Sequence, residues 1–266
     1  MKTTYRHMRY TLLILFSFFV YTSTFAQTVD GSGKKQGYWK KKDADGKLIY
    51  EGEFKDDKPV GTFKHYYPGD TAKRAVTYYK DGGKIAYAKL YHQLTGKIMA
   101  QGKYITEQKD SVWMFYDEAG VLISKDNYKL GKKHGKCLVY LPDGNLAEEK
   151  NYKDGVEDGP FKQYFDGKLV KGEGKYVNGK MDGKITYYFP SGSIAGTGVY
   201  KNGYKDGVWI YKDKDGKIKE KELYKGGKLA SKKETEEYFK KNKIEDPKPS
   251  NQSKDSKPKP KASGTK

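Results

Sequence analysis

Between residues 37 and 231 large apolar residues alternate with polar ones in short runs, and glycine ends each run. "PFKQYF" from Pro160, "KITYYF" from Lys184 and "VWIYK" from Val208 are typical. A period of two bounded by Gly turns predicts half-buried strands joined as hairpins. No stretch before residue 231 carries a helical period. The pattern also recurs. Gly135, Gly159, Gly183 and Gly207 stand 24 residues apart, and Tyr128, Tyr152, Tyr176, Tyr200 and Tyr224 keep the same step. A fixed period of this size predicts an array in which each repeat is one supersecondary unit.

The register reaches back to Gly37 and Gly61, with Phe54 in the Tyr position. Ile85 and Ser111 stand at the next closing positions, and the unit between them has two extra residues. Eight units result: 38–61, 62–85, 86–111, 112–135, 136–159, 160–183, 184–207 and 208–231. The second residue of each is Trp39, Phe63, Tyr87, Trp113, Cys137, Phe161, Ile185 or Trp209. Three residues later comes Tyr66, Tyr116, Tyr140, Tyr164 or Tyr188. "DADG", "PDG" and "DKDG" read as the turn inside a unit, and stretches such as "VNGKMDG" as the Gly-rich turn between units.

One hairpin is marginal in water, but stacked hairpins give each ring a neighbour. The fold class expected is therefore all-β. It is a linear array of about eight 24-residue hairpins forming one long twisted antiparallel sheet, closed by a short C-terminal helix. Trp39, Phe63, Trp113, Phe161 and Trp209, with Gly135, Gly159, Gly183 and Gly207, are its structural repeat positions. Tyr66, Tyr116, Tyr140, Tyr164 and Tyr188 are the candidate binding surface, because a half-wet tyrosine face can stack on a ligand.

"YEGEFKDDKPVG", Tyr50 to Gly61, resembles the MORN repeat signature Y-x-G-x-(W/F)-x-x-G-x-x-x-G, in the variant form found in exported bacterial proteins. Asp57 replaces one family Gly. Gly102, Gly174 and Gly198 match the Gly two before the aromatic, whereas Asp126, Lys150 and Glu222 depart from it. The resemblance covers residues 37 to 231. It implies a binding or scaffolding role. For relatives, membrane-lipid binding is often proposed, and some are described as antitoxins.

The ends differ in composition. Lys2, Arg6 and Arg9 precede the apolar "YTLLILFSFFVYTSTFA", with Thr24 and Ala26 at cleavage offsets. This predicts a signal peptide over 1–26, export across the inner membrane and a periplasmic or secreted chain beginning at Gln27. The strongly apolar run, Leu12 to Val20, falls short of the roughly 20 residues of a spanning helix. Residues 27–36 read as a linker. Ser231 and Glu234 have capping-box spacing and open a short helix over 232–245, expected to cover the last sheet edge. The Lys/Pro/Ser-rich segment 246–266 is disordered by composition.

Little points to chemistry. His65, His92 and His134 sit in different units without ligand spacing, and the lone Cys137 occupies a position filled elsewhere by Trp or Phe. "KDADGK" and "KDKDGK" share residues with a calcium loop but put a non-ligand at a required position, so both read as hairpin turns. No catalytic, metal or cofactor site is expected. Charge is the nonlocal feature: 53 Lys+Arg face 34 Asp+Glu, giving +19. That suits a soluble lysine rim, or attraction to an acidic protein, anionic lipid headgroups or polyanionic glycans. Export disfavours nucleic acid. The leading reading is an exported, non-enzymatic binding or scaffold protein with a protein partner. The alternatives are a peripheral binder of anionic phospholipid headgroups and an antitoxin-type protein that masks a toxin.

Overall fold

The computed structural model describes residues 27–166 and 169–242; the expected signal peptide and the Lys/Pro/Ser-rich tail lie outside them. The described residues form one antiparallel sheet of 21 strands. Sixteen are long, two per unit, running from Lys35–Lys42 and Leu48–Lys55 to Tyr204–Lys212 and Ile218–Lys225. Three first strands are split by a bulge, such as Val156–Glu157 and Gly159–Tyr164, and the short Thr28–Val29 and Lys228–Leu229 flank the array. Each strand pairs with its neighbours along the chain, so the sheet is an open meander. Residues 27–36, expected as a linker, hold the strand Thr28–Val29, which pairs with the start of Lys35–Lys42.

One face is closed. Trp113, Trp209, Ile185, Phe161, Phe63 and Cys137 all point to it and are buried, as the repeat register implies. Each indole N–H is satisfied by a backbone carbonyl: Trp113 donates to Lys103 at 2.9 Å and Trp209 to Val199 at 3.1 Å. Trp39 is only half-buried, because the first unit has no unit before it to cover the ring. The register tyrosines pack beside the same side chains, with Tyr200 edge-on to Trp209 at 5.2 Å and Tyr176 beside Phe161 at 5.0 Å. Lysines close the layer: Lys205 Nζ lies 4.5 Å from the Trp209 ring and donates to the Tyr211 hydroxyl at 2.7 Å.

The recurrent glycines divide into two kinds, which the sequence reading had merged. The turns between units are two residues with positive φ at both, as a type I′ turn requires: Asp154-Gly155, Asn178-Gly179 and Asn202-Gly203. Asp56-Asp57 and Thr106-Glu107 adopt the same conformation without glycine. The closing glycines are not in these turns. Gly135, Gly159 and Gly183 sit inside the first strand at a bulge, at φ 83°, 111° and 88°.

The residue before the bulge caps the turn 20 residues later. Asp158 Oδ2 accepts from Asn178 N at 3.1 Å, Asp182 Oδ2 from Asn202 N at 3.1 Å, and Asp206 Oδ1 from Gly226 N at 3.2 Å. The second turn amide bonds 22 residues back, as Gly155 does to Lys133 and Gly179 to Glu157, both at 2.8 Å. Each turn is therefore anchored to the preceding unit.

The third unit breaks the register. Ala86, not Ile85, pairs opposite Tyr104 as the closing glycines pair opposite the register tyrosines. Its ladder with the preceding strand runs from Ala75↔Leu90 to Lys80↔Ile85 without a bulge, and the connecting loop is Asp81 to Lys84. The extra residues are shared between two six-residue turns, closed by Tyr67 N→Ala72 O and His92 N→Lys97 O. A one-residue change of register exchanges the two faces of a strand. Ala86 and Ala88 thus face the core at 5% and 4% exposure, while Tyr87, the second residue of its unit by the sequence register, faces solvent at 49%.

The helix Lys232–Asn242 follows the Ser231–Glu234 capping box, with Glu234 N→Ser231 Oγ at 3.3 Å and Ser231 N→Glu234 Oε2 at 3.0 Å. It packs on the last long strand, where Lys221 Nζ lies 5.0 Å from the Phe239 ring and Leu223 is buried.

Candidate functional site

The other face of the sheet is open and its chemistry changes along the array. Three residues before each register aromatic, the outward position holds in turn Glu51, Val76, Gln101, Lys125, Glu149, Glu173, Thr197 and Lys221. Where it is Glu, a charge ladder forms. Glu51 stands opposite Lys40 and Lys64, with Nζ to carboxylate distances of 3.7 and 3.0 Å. Glu149 meets Lys136 at 2.7 Å, and Glu173 meets Lys162 at 3.3 Å.

The five predicted surface tyrosines lie on this face and tie into that row. Tyr66, Tyr164 and Tyr188 donate their hydroxyls to the glutamate 15 residues earlier, Glu51 at 2.9 Å, Glu149 at 2.6 Å and Glu173 at 2.7 Å. Tyr116 accepts from Gln101 Nε2 at 2.8 Å, and the Tyr140 ring lies 5.7 Å from Lys125 Nζ. Burial raises the Glu51 carboxyl, but hydrogen bonds from Lys64, Tyr66 and Tyr38 outweigh it and hold the group at about 2. Burial, then the Glu51 hydrogen bond, pushes Tyr66 up to about 12. These tyrosines are spaced along the array and brace it. Tyr91 occupies the same place in the third unit, and the sequence reading omitted it; there the position 15 residues earlier is Val76, which offers no acceptor.

In the second to fourth units the ladder is interrupted. Tyr78 and Tyr87 stand directly opposite each other on adjacent strands, 46% and 49% exposed. Val76, Val112 and Met114 continue the apolar surface, which forms a shallow groove of about 770 Å³ with Lys89 and Gln101 on its wall. No carboxylate faces Lys89, whose cross-strand partners are Val76 and Gln101. Lys125 is in the same position, between Met114 and Leu138. Lys80 Nζ lies 5.7 and 5.8 Å from the Tyr78 and Tyr87 rings, and Lys103 is paired with Asp110 at 3.1 Å. Tyr116 borders the groove through Gln101; the other four predicted tyrosines are not brought together with it. A row-by-row reading of the outward positions would have exposed the missing glutamates. The absence of a bulge against the preceding strand, which turns Tyr87 outward, left no such signal.

The structural hairpins coincide with a known repeat. The MORN repeat variant matches at residues 35–56, 109–130, 133–154, 181–202 and 205–225, each match spanning the two long strands of one hairpin. The chain carries five MORN repeat variants. Two of the unmatched hairpins, residues 57–108, are those that carry most of the groove. No curated protein matches the chain. Among solved structures, TarM of S. aureus is 9% identical over 46% of this chain and 19% of that one, with a TM-score of 0.23. TcdB2-TccC3-TEV is 11% identical over 76% and 14%, also at 0.23. The Photorhabdus luminescens Tc holotoxin pore is 11% identical over 75% and 12%, at 0.19. The MORN chain thus spans less than a fifth of each, and likenesses at these scores carry no argument about its role.

Among the described residues no group of three or more His, Cys, Asp or Glu side chains is placed to hold a metal. Cys137 is buried in the aromatic layer, which pushes its thiol up from the ordinary value.

Proposed function

We propose that this MORN-repeat chain is an exported, non-enzymatic scaffold that binds a protein through the open face of its sheet. Repeats of this kind fit a general binding role. The observation that carries the reading is the interrupted ladder. The hairpins keep one structural device, while the outward face exchanges glutamate–lysine pairs for exposed Tyr78, Tyr87 and Val112 over a limited stretch. An exposed apolar surface rimmed by polar groups is the usual mark of an interaction site. Export rests on the apolar segment before Gln27.

The lipid alternative draws on the net charge of +19, but much of the lysine on the open face is neutralised in place by Glu51, Glu149 and Glu173. A flat anionic leaflet pressed on that face would meet carboxylates as well as lysines.

The test is capture from envelope extract with the full chain and with Tyr78→Ser/Tyr87→Ser. The reading expects a protein held by the wild type and lost from the variant. Equal capture by both, or none by either, overturns it. N-terminal sequencing of the cellular protein tests export: a start at Gln27 is expected, and an intact Met1 in the cytoplasm contradicts it.

A further inference from the structure

The groove over the second to fourth units has a definite chemistry, and we infer that its partner is an acidic protein segment with an apolar anchor side chain. The inference rests on the binding role proposed above and names its partner class. Its floor is aliphatic as well as aromatic: Val76, Val112 and Met114 beside the opposed pair Tyr78 and Tyr87. Aromatic rings alone would serve a sugar face, but exposed Val112 and half-buried Val76 and Met114 offer nothing to hydroxyls. They suit a Leu or Phe side chain, and Tyr and Met are among the residues enriched in protein interfaces.

The rim is cationic with charge to spare. Lys89 and Lys125 face only uncharged partners across the strands, and Lys80 sits over the two tyrosines. In three other units of the same face, at Glu51, Glu149 and Glu173, a glutamate occupies the position that Val76 and Gln101 take here. Asp110, paired with Lys103, is the acid beside the groove, and neither Val76 nor Gln101 competes with an incoming carboxylate for Lys89. Electrostatic complementarity of this kind sets partner choice and encounter rate.

Charge also excludes the occupants nearest to hand. A second copy docked by the same surface would set Lys89 against lysine. The 243–266 segment carries seven lysines against three acids, and 1–26 carries three basic residues and no acid, so neither complements the rim.

The experiment measures binding of three labelled synthetic 12-residue peptides to the purified full chain by fluorescence anisotropy. One is Asp/Glu-rich with a central Leu-Phe, one is equally acidic with Gly-Ser at the centre, and one is Lys-rich with Leu-Phe. Polygalacturonate and phosphatidylglycerol vesicles are competitors of other classes. The acidic Leu-Phe peptide should bind at least ~10-fold tighter than both others. Lys89→Glu and Tyr78→Ser/Tyr87→Ser, all exposed positions, should each weaken it ~10-fold with an unchanged melting curve. Equal binding of the acidic Gly-Ser peptide reduces the surface to bare charge and overturns the proposal. So does binding of polygalacturonate or vesicles that depends on Tyr78 and Tyr87 while the peptides fail.

A photo-crosslinking residue at position 87, with position 184 as control, separates this failure from that of the scaffold reading. A protein adduct at 87 in cells without peptide binding leaves the scaffold standing and removes the acidic anchor. No adduct at either position removes both.

Discussion

Trp113 lies flat across Gly102: a Cβ built on that glycine would come within 2.4 Å of the indole ring. Gly198 stands in the same relation to Trp209, at 2.2 Å. The family glycine two before the register aromatic is thus a seat for a ring from the next strand. Its backbone is ordinary extended strand, so its smallness is what counts.

Gly102→Ala should therefore destabilise the array although alanine suits a strand. A fully buried ring has no room to retreat, and overpacking of this kind costs about 1–3 kcal/mol. Urea unfolding should show a lower midpoint, while Gly144→Ala, in an open turn with nothing near the added carbon, should show only turn strain. Equal effects would argue against the ring seat.

Trp113→Ala removes the most buried large side chain, together with its bond to Lys103. A loss of ~3 kcal/mol or more is expected. In an array of neighbour contacts the loss should spread to adjacent units, so hydrogen exchange should quicken over Ala86–Tyr128 before Phe161–Tyr224. Uniform quickening would point to one cooperative block.

Asp182→Ala should free the Asn202 amide, one unit onward, at a cost of about 1 kcal/mol. Faster exchange at Asn202 with little change at Asn178, which Asp158 caps, is the expected pattern. No change at Asn202 would mean that the turn stands without its cap.

The Glu51 cluster makes stability depend on pH. Its carboxyl titrates at about 2 in the fold against an ordinary 4.5, so its contribution is full above that ordinary value and is lost as pH falls toward 2. Glu149 is shifted the same way, held down chiefly by the Lys136 hydrogen bond. Melting temperature should be level above about pH 5 and fall below it. Glu51→Gln should flatten part of that fall; an unaltered profile would exclude the cluster as its source.

The repeat, its length and the buried ring positions were legible because each depends on local spacing. Strand alternation and fixed turns recur every 24 residues, and Trp113, Phe161 and Trp209 stand where that spacing puts them. Two things were not legible. The first was the division of the glycines: "KMDG" has the letters of a turn, yet Asp182 caps a turn 20 residues on and Gly183 lies in a bulge, because pairing with both neighbouring strands fixes φ there. The second was the facing of Tyr87. A loop from Asp81 to Lys84 takes up the residues that a bulge absorbs elsewhere, and no local pattern distinguishes the two.

The sequence by itself determined a linear array of hairpins with one aromatic face, since periodicity and turn chemistry act within a few residues. Only the tertiary structure decided which side chains share the open face. Outward positions on successive strands become neighbours through the ladder, and a missing bulge exchanges the two faces. That is how Val76, Tyr78, Tyr87 and Met114, scattered over 39 residues of chain, come to line one groove.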